Sequence, residues 1–302
     1  MSEKRVNVGG QAVIEGVMMK GPDGLATAVR RPDGSIVYRK NKSKKSENRF
    51  SKMPFIRGAI LLFNTMIEGT KELTFSANQA EDTEEELSDK ELILTVGGAL
   101  LLGIGLFMVL PSLIGGWIFS DNKIMANLIE AMLRLIFFVL YIWLISFSKD
   151  IKRVYQYHGA EHKSIYAFEN GMDLTPENAK KYTTLHPRCG TSFLLIVMFC
   201  SIITFTLLDF VIPTPVTLVG KLGLRVVLRI AFMPLIAGIS YEFQRYSSRN
   251  LDKTWVRMVA APGLSLQKIT TKEPDMEQLE VAIVALKVAM GYEVENAVEL
   301  KS

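Results

Sequence analysis

Three histidines, His158, His162 and His186, are all that the 302 residues contain. Two stand in "YHGAEHK", four residues apart with Glu161 between, and the third stands in "LHPRCGT", three positions before Cys189. Residues four apart on a helix share a face, one turn from each other, so two imidazoles in that register can reach one ion. The pattern H-x3-H, then 23 residues, then H-x2-C supplies four zinc-type ligands from two places in the chain. "HGAEH" also fits H-x-x-E-H, in which the glutamate serves as a base and does not bind the metal. The candidate zinc ligands are therefore His158, His162, His186 and Cys189, with Glu161 as the candidate catalytic residue. The competing reading makes them interfacial polar residues satisfied by backbone groups and phosphates. Three imidazoles and a thiolate fill a tetrahedron, and filled zinc sites are usually structural, so catalysis needs one of the four to withdraw. Glu15 in "GGQAVIEGVMMKGP" is a further acidic candidate that could support the site from behind, although such a stretch more often builds a tight turn.

Those residues must be positioned by a membrane protein. Mean hydropathy is +0.21 and charged residues are only 22% of the chain. The run from Leu92 to Ser120 carries no charge at all, longer than the roughly 20 residues that cross a bilayer. Two cysteines give no disulfide framework, and Cys200, inside an apolar run, reads as a small packing residue. No signal peptide opens the chain. Four spans are predicted, over 93–119, 125–148, 190–208 and 222–242. Ala99 and Gly103 form a small pair for close helix approach in the first, and Glu130 and Arg134 can pair one turn apart in the second. Arg229 and a kinking Pro234 fall in the fourth.

The remaining segments read as polar work on one side of the bilayer. Residues 1–52 form a β unit followed by a basic tract over 39–52. Strand-like Val6–Val8 and Ala12–Met19 precede two β-prone runs that bracket the turn Pro32-Asp33-Gly34. Residues 53–91 hold an amphipathic helix suited to the membrane interface and an acidic linker over 81–91. Residues 92–148 contain spans one and two, 149–189 the histidine and cysteine region, and 190–242 spans three and four. Thr175-Pro176 starts a short helix within the histidine region. In 243–302, "APGLSLQKITTKEPD" reads as a turn and an extended piece, and Asp275 with Gln278 opens a tail helix that Gly291 can end. Its apolar stripe of Leu279, Ala282, Ile283, Leu286 and Met290 must be buried on something, most simply the β unit. The fold class is thus an α-helical multi-pass membrane protein with a small cytosolic α+β portion built from the N-terminal β unit and the C-terminal helix.

Positive charge sets the orientation. Segments 1–57, 149–189 and 242–257 carry 13, 7 and 4 Lys/Arg, against one around Asp121–Lys123 and two in 209–225. The excess belongs in the cytosol, which puts both termini and the histidine region there. The lipid bilayer is the first partner, anionic lipid headgroups suit the basic tract, and no nucleic acid partner is expected.

"GGQAVIEGVMMKGP", "YHGAEHK", "HPRCGTSF" and "PGLSLQKITTKEP" resemble, in order and over nearly the whole chain, the signature blocks of the YqhQ-like bacterial membrane proteins. That family is described as a domain of unknown function and as predicted metal-dependent enzymes. The resemblance implies an inner-membrane protein, with His158, His162, His186 and Cys189 as metal residues and Glu161 beside them. Two functions stand open. One is a zinc-dependent hydrolase working at the cytosolic membrane face, with Glu161 as its base. The other is a non-catalytic membrane assembly or biogenesis factor, whose structural zinc pins two spans together and whose basic surface docks a membrane protein complex or the bilayer. A transporter fits less well, since the spans show no internal repeat.

Overall fold

The computed structural model describes residues 8–41, 53–80, 89–119, 122–212 and 218–300; the basic tract from residue 42 on and the acidic linker over 81–88 lie outside the described residues. The chain begins with strands β1 (Gly9–Val13), β2 (Gly16–Gly21), β3 (Gly24–Arg30) and β4 (Ile36–Asn41). These pair antiparallel in chain order, and a short strand near the C-terminus, β5 (Val298–Glu299), adds parallel to β4. The stretch 12–19 is not one interrupted strand but a hairpin. Glu15 takes φ of 49°, a left-handed value that reverses the chain between Val13 and Gly16.

The tail helix, α10 (Met276–Met290), covers the sheet. Asp275 and Gln278 make the reciprocal capping box, and Gly291 ends the helix in the left-handed region. Leu279, Ala282, Ile283 and Leu286 share one core with Val17, Met19, Ala26 and Ala28 of the sheet. The other side of α10 is buried as well, under α5 (Lys149–Glu169) and α6 (Pro176–Lys180), which explains why Val281, Val284 and Val288 are also apolar. α5 also packs directly on β1 and β2, so α10 and α5 lie beside each other against the sheet, and α5 carries the histidine pair.

The helix α1 (Ile56–Ala80) docks by its polar side. Glu72 is buried against Arg39 at 2.9 Å, Ser76 accepts from the Ile14 N–H at 3.1 Å, and Lys20 pairs with Glu68 at 2.6 Å. Phe63 and Met66 are left 66% and 57% exposed on the opposite side.

Three helical stretches among the described residues are long and apolar enough to cross a bilayer: Ile93–Ile118, Ile124–Ile145 and Gly190–Leu208. The first joins α2 (Asp89–Ile104) to α3 (Leu110–Ile118) through a π-helical turn over Gly105–Val109. The second is α4 (Lys123–Ile145) and the third the body of α7 (Gly190–Val211). The segment expected as the fourth span lies in α8 (Leu218–Arg249), which is not among the three. Its Arg229 is buried against Glu130 of α4, which also pairs with Arg134, so the sequence-predicted pair is part of a larger charged group between two helices. Pro234 sits within α8 without ending it. The small pair Ala99 and Gly103 meets no close neighbour: a Cβ built on Gly103 has open space around it, and Ala99 is exposed.

One segment departs from the sequence reading in type. "APGLSLQKIT" is not a turn and an extended piece; it completes the helix α9 (Thr254–Thr270), with Pro262 inside it. The Pro-Gly pair favours a turn locally, but packing on α7 prevails: Val256, Leu266 and Gln267 are buried, and Gly263 lies flat against Ser192. Only residues 271–275 run extended, from α9 to α10.

Leu286, fully buried between sheet and α5, tests whether α10 holds them together. Leu286→Ala is expected to cost about 2–5 kcal/mol and to speed tryptic cleavage at Arg30 and Arg39, read by limited proteolysis. Unchanged protection would mean that the sheet stands without α10.

Candidate metal centre

The helix α5 follows α4 after a short break at Ser146–Ser148 and then runs without interruption past both histidines. His158 and His162 project from it one turn apart, with ring centroids separated by 4.5 Å. Cys189 arrives from elsewhere, as the N-cap residue of α7, where its Sγ accepts the Thr191 N–H at 3.4 Å. That sulfur lies 3.1 Å from His158 Nε2. The ligand atoms of His158, His162 and Cys189 all fall within 4.8 Å of one another, so modest side-chain movement would bring them to the roughly 3.3–3.8 Å separations of a tetrahedral ion with bonds of about 2.0–2.3 Å.

Both imidazoles are oriented by backbone carbonyls. His158 donates from Nδ1 to Thr270 O at 2.8 Å, and His162 donates from Nδ1 to Thr184 O. Each ring therefore turns Nε2 inward as the acceptor, the arrangement that protein scaffolds use for metal-binding histidines. The inward Nε2 of His162 is buried and has no hydrogen-bond partner among the described residues. Burial lowers the proton affinity of His162, with the nearby Cys189 pulling the other way, so its imidazole is held neutral, the form that binds a metal.

His186 is beside this trio and not within it. Its Nδ1 accepts the Arg188 N–H at 3.3 Å, its Nε2 is 3.7 Å from Glu169, and its ring centroid lies 5.5 Å from that of His162 and 4.7 Å from Tyr166. Burial lowers its pKa also, opposed by Glu161. The four sequence-predicted ligands thus divide into three converging residues and one neighbour. That leaves one side of the trio without a protein ligand.

Glu161 lies close by. On the sequence alone it points off the ligand face unless α5 bends at Gly159, but α5 is unbroken and the carboxylate still comes within 4.0 Å of His158 Nε2. Residues three apart on a helix are neighbours, which suffices. Glu161 is buried, and desolvation pushes its pKa up against the pull of His158, His186 and the Gly10 N–H. A bound cation would reverse that balance and favour the carboxylate.

Several supporting residues carried no recognisable signal. Gln267 of α9, fully buried, accepts the His186 N–H at 2.8 Å and donates to His186 O at 2.9 Å and Ser192 Oγ at 3.0 Å, which clamps the loop on both sides of Cys189. Lys163 is buried too, donating to Lys180 O and Tyr182 O and pairing with Glu273 at 2.6 Å. Gly159 is needed for a close approach: a Cβ there would stand 2.1 Å from Lys272 O. Gly10 lies similarly against Glu161 Cγ. Glu15 does not contact the histidines; it takes a two-pronged ion pair from Arg153 at 2.5 Å and a hydrogen bond from the Tyr157 hydroxyl at 3.3 Å, fastening the β1–β2 hairpin to α5 one turn before His158. Its role is positional.

Comparison with known proteins bears on the same residues. The "Uncharacterized protein YqhQ" of Bacillus subtilis (strain 168) is 36% identical over 303 residues, covering 94% of this chain and 92% of that protein. No solved structure matches. A family model described as "Protein of unknown function (DUF1385)" matches residues 53–292, from α1 through α10 and so across the whole histidine and cysteine cluster. The chain belongs to this DUF1385 family of proteins of unknown function.

Proposed function

We propose that this protein is a four-span inner-membrane metallohydrolase, with zinc held by His158, His162 and Cys189 and with both termini in the cytosol. The orphaned, buried Nε2 of His162, one of three converging donors with Glu161 close by, carries the reading. A three-ligand zinc site with a free position is the catalytic arrangement, whereas four protein ligands make a structural one. His158, His162 and Cys189 would hold the zinc, which would supply a Lewis acid for activating water and polarising a carbonyl or phosphoryl oxygen. Glu161 takes the proton of the attacking water at its carboxylate and passes it to the leaving group. His186 stands beside the trio and orients what binds there. The fourth span is α8, whose Arg229 is turned inward on Glu130 while Val227 and Ile230 face outward. The Lys/Arg excess supports the cytosolic side for the site, the exposed apolar side of α1 supports its lying on the bilayer, and the basic tract suits anionic headgroups.

His158→Ala, His162→Ala and Cys189→Ala are each expected to remove the metal from purified protein by elemental analysis, and His186→Ala to retain it. Loss of metal in His186→Ala would indicate a filled four-ligand site and favour the structural role in an assembly factor. Glu161→Gln separates the readings from the other direction, because it keeps shape and hydrogen bonding and removes only the base. It is expected to keep metal and fold while failing to complement a deletion strain; full complementation would end the hydrolase reading. Cysteine labelling from outside intact cells is expected to miss residues 45 and 295, and labelling at either would overturn the topology.

A further inference from the structure

A cavity of about 460 Å³ lies between α7, α8 and α9, on the far side of the loop that bears Cys189. Its wall is apolar, formed by Leu195, Phe199 and Ile203 of α7, Phe243 of α8, and Val259 and Leu264 of α9. Its polar end is the ligand loop itself, since Pro187 and Ser192, which flank Cys189 in the chain, both line it. The polar groups there serve the protein's own backbone and side chains: Ser192 Oγ accepts from Gln267 at 3.0 Å, and Gln244 donates to Cys189 O at 3.0 Å. The other end is continuous with the outer surface of α7, where Phe199 and Ile203 are 46% and 61% exposed on a bilayer-length helix. Beside it, Met258 of α9 is 71% exposed, which extends the apolar surface past the cavity mouth.

We propose that this cavity holds one acyl chain of a membrane phospholipid, with the lipid's polar end at the loop of His186 and Cys189; it rests on the hydrolase reading for the further step that a phospholipid is the substrate. The size fits: at roughly 30 Å³ per water-sized group, the space takes on the order of fifteen methylenes. The chemistry fits as well. A wall with few polar groups, already engaged, does not orient a polar solute, and a mouth facing hydrocarbon admits what the bilayer supplies. Gly263 sets the closed end, because α9 can lie against Ser192 only where no Cβ intervenes, a Cβ at Gly263 falling 2.7 Å from Ser192 Oγ.

The experiment uses the full chain in phosphatidylglycerol and phosphatidylethanolamine vesicles containing a phospholipid with a diazirine at the end of one acyl chain. After irradiation, crosslinks are expected to concentrate in peptides covering 195–203 and 259–264. Ala260→Trp, which fills the cavity from α9, is expected to lower them about tenfold without changing metal content. Leu140→Trp, in the shallow apolar groove of α4, serves as the control and is expected to leave them unchanged. Crosslinks spread evenly over α4 and α7, or indifferent to Ala260→Trp, would overturn the proposal. Cys200, which lines the cavity, gives a reading without substitution: its alkylation is expected to be slow in vesicles and at least about tenfold faster in delipidated detergent, and equal rates would overturn the assignment. Focused crosslinking in protein that carries no metal would keep the acyl site and remove the hydrolase reading. Metal with diffuse crosslinking would do the reverse.

Discussion

Lys272 donates its backbone N–H to Tyr155 O at 2.9 Å, and three residues along α5 His158 donates to Thr270 O. This crossing of an extended strand of chain over a helix organises the rest. It requires Gly159, because any side chain there would meet the Lys272 carbonyl. It sets the tautomer of His158 and thereby aims Nε2 at Cys189. It also connects the end of α9 to the start of α10, so that the helix sealing the sheet and the helix clamping the cysteine loop are tied to the histidine pair at a single point.

Around that crossing several buried polar side chains are satisfied mainly by backbone groups. Gln267 holds both backbone atoms of His186, and Lys163 caps the carbonyls of Lys180 and Tyr182. Buried polar groups joined this way rigidify a site, since loosening one leaves an unpaired group with the full desolvation penalty. His162 Nε2 departs from the pattern. An unpartnered imidazole nitrogen beside a thiol and a second imidazole has the chemistry of a group that could hold a metal ion.

Cys189 caps α7, so the third long apolar helix begins at the metal cluster, and α9 crosses behind it to enclose an apolar space. The β-sheet is fastened to α5 near the cluster through Glu15, Arg153 and Tyr157. The cluster therefore stands where the β-sheet unit and the long apolar helices join.

The sequence by itself determined whatever depends on neighbours along the chain. Uncharged runs marked the long helices, Pro32-Asp33-Gly34 marked a turn, Asp275 and Gln278 a capping box, and the spacing of His158 and His162 put them on one face, because helical and turn geometry repeat over a few residues. Tertiary structure alone decided the rest. That Cys189 converges and His186 stands aside depends on Gln267, 81 residues away, and on carbonyls of Thr184 and Thr270 that have no side-chain signature. α9 stayed helical through Pro262-Gly263 because burial against α7 outweighed a local turn preference, and Arg229 found Glu130 across 99 residues of chain. Backbone hydrogen bonds and close approaches are made by atoms every residue possesses, so residue type records them only where, as at Gly159, a side chain would be in the way.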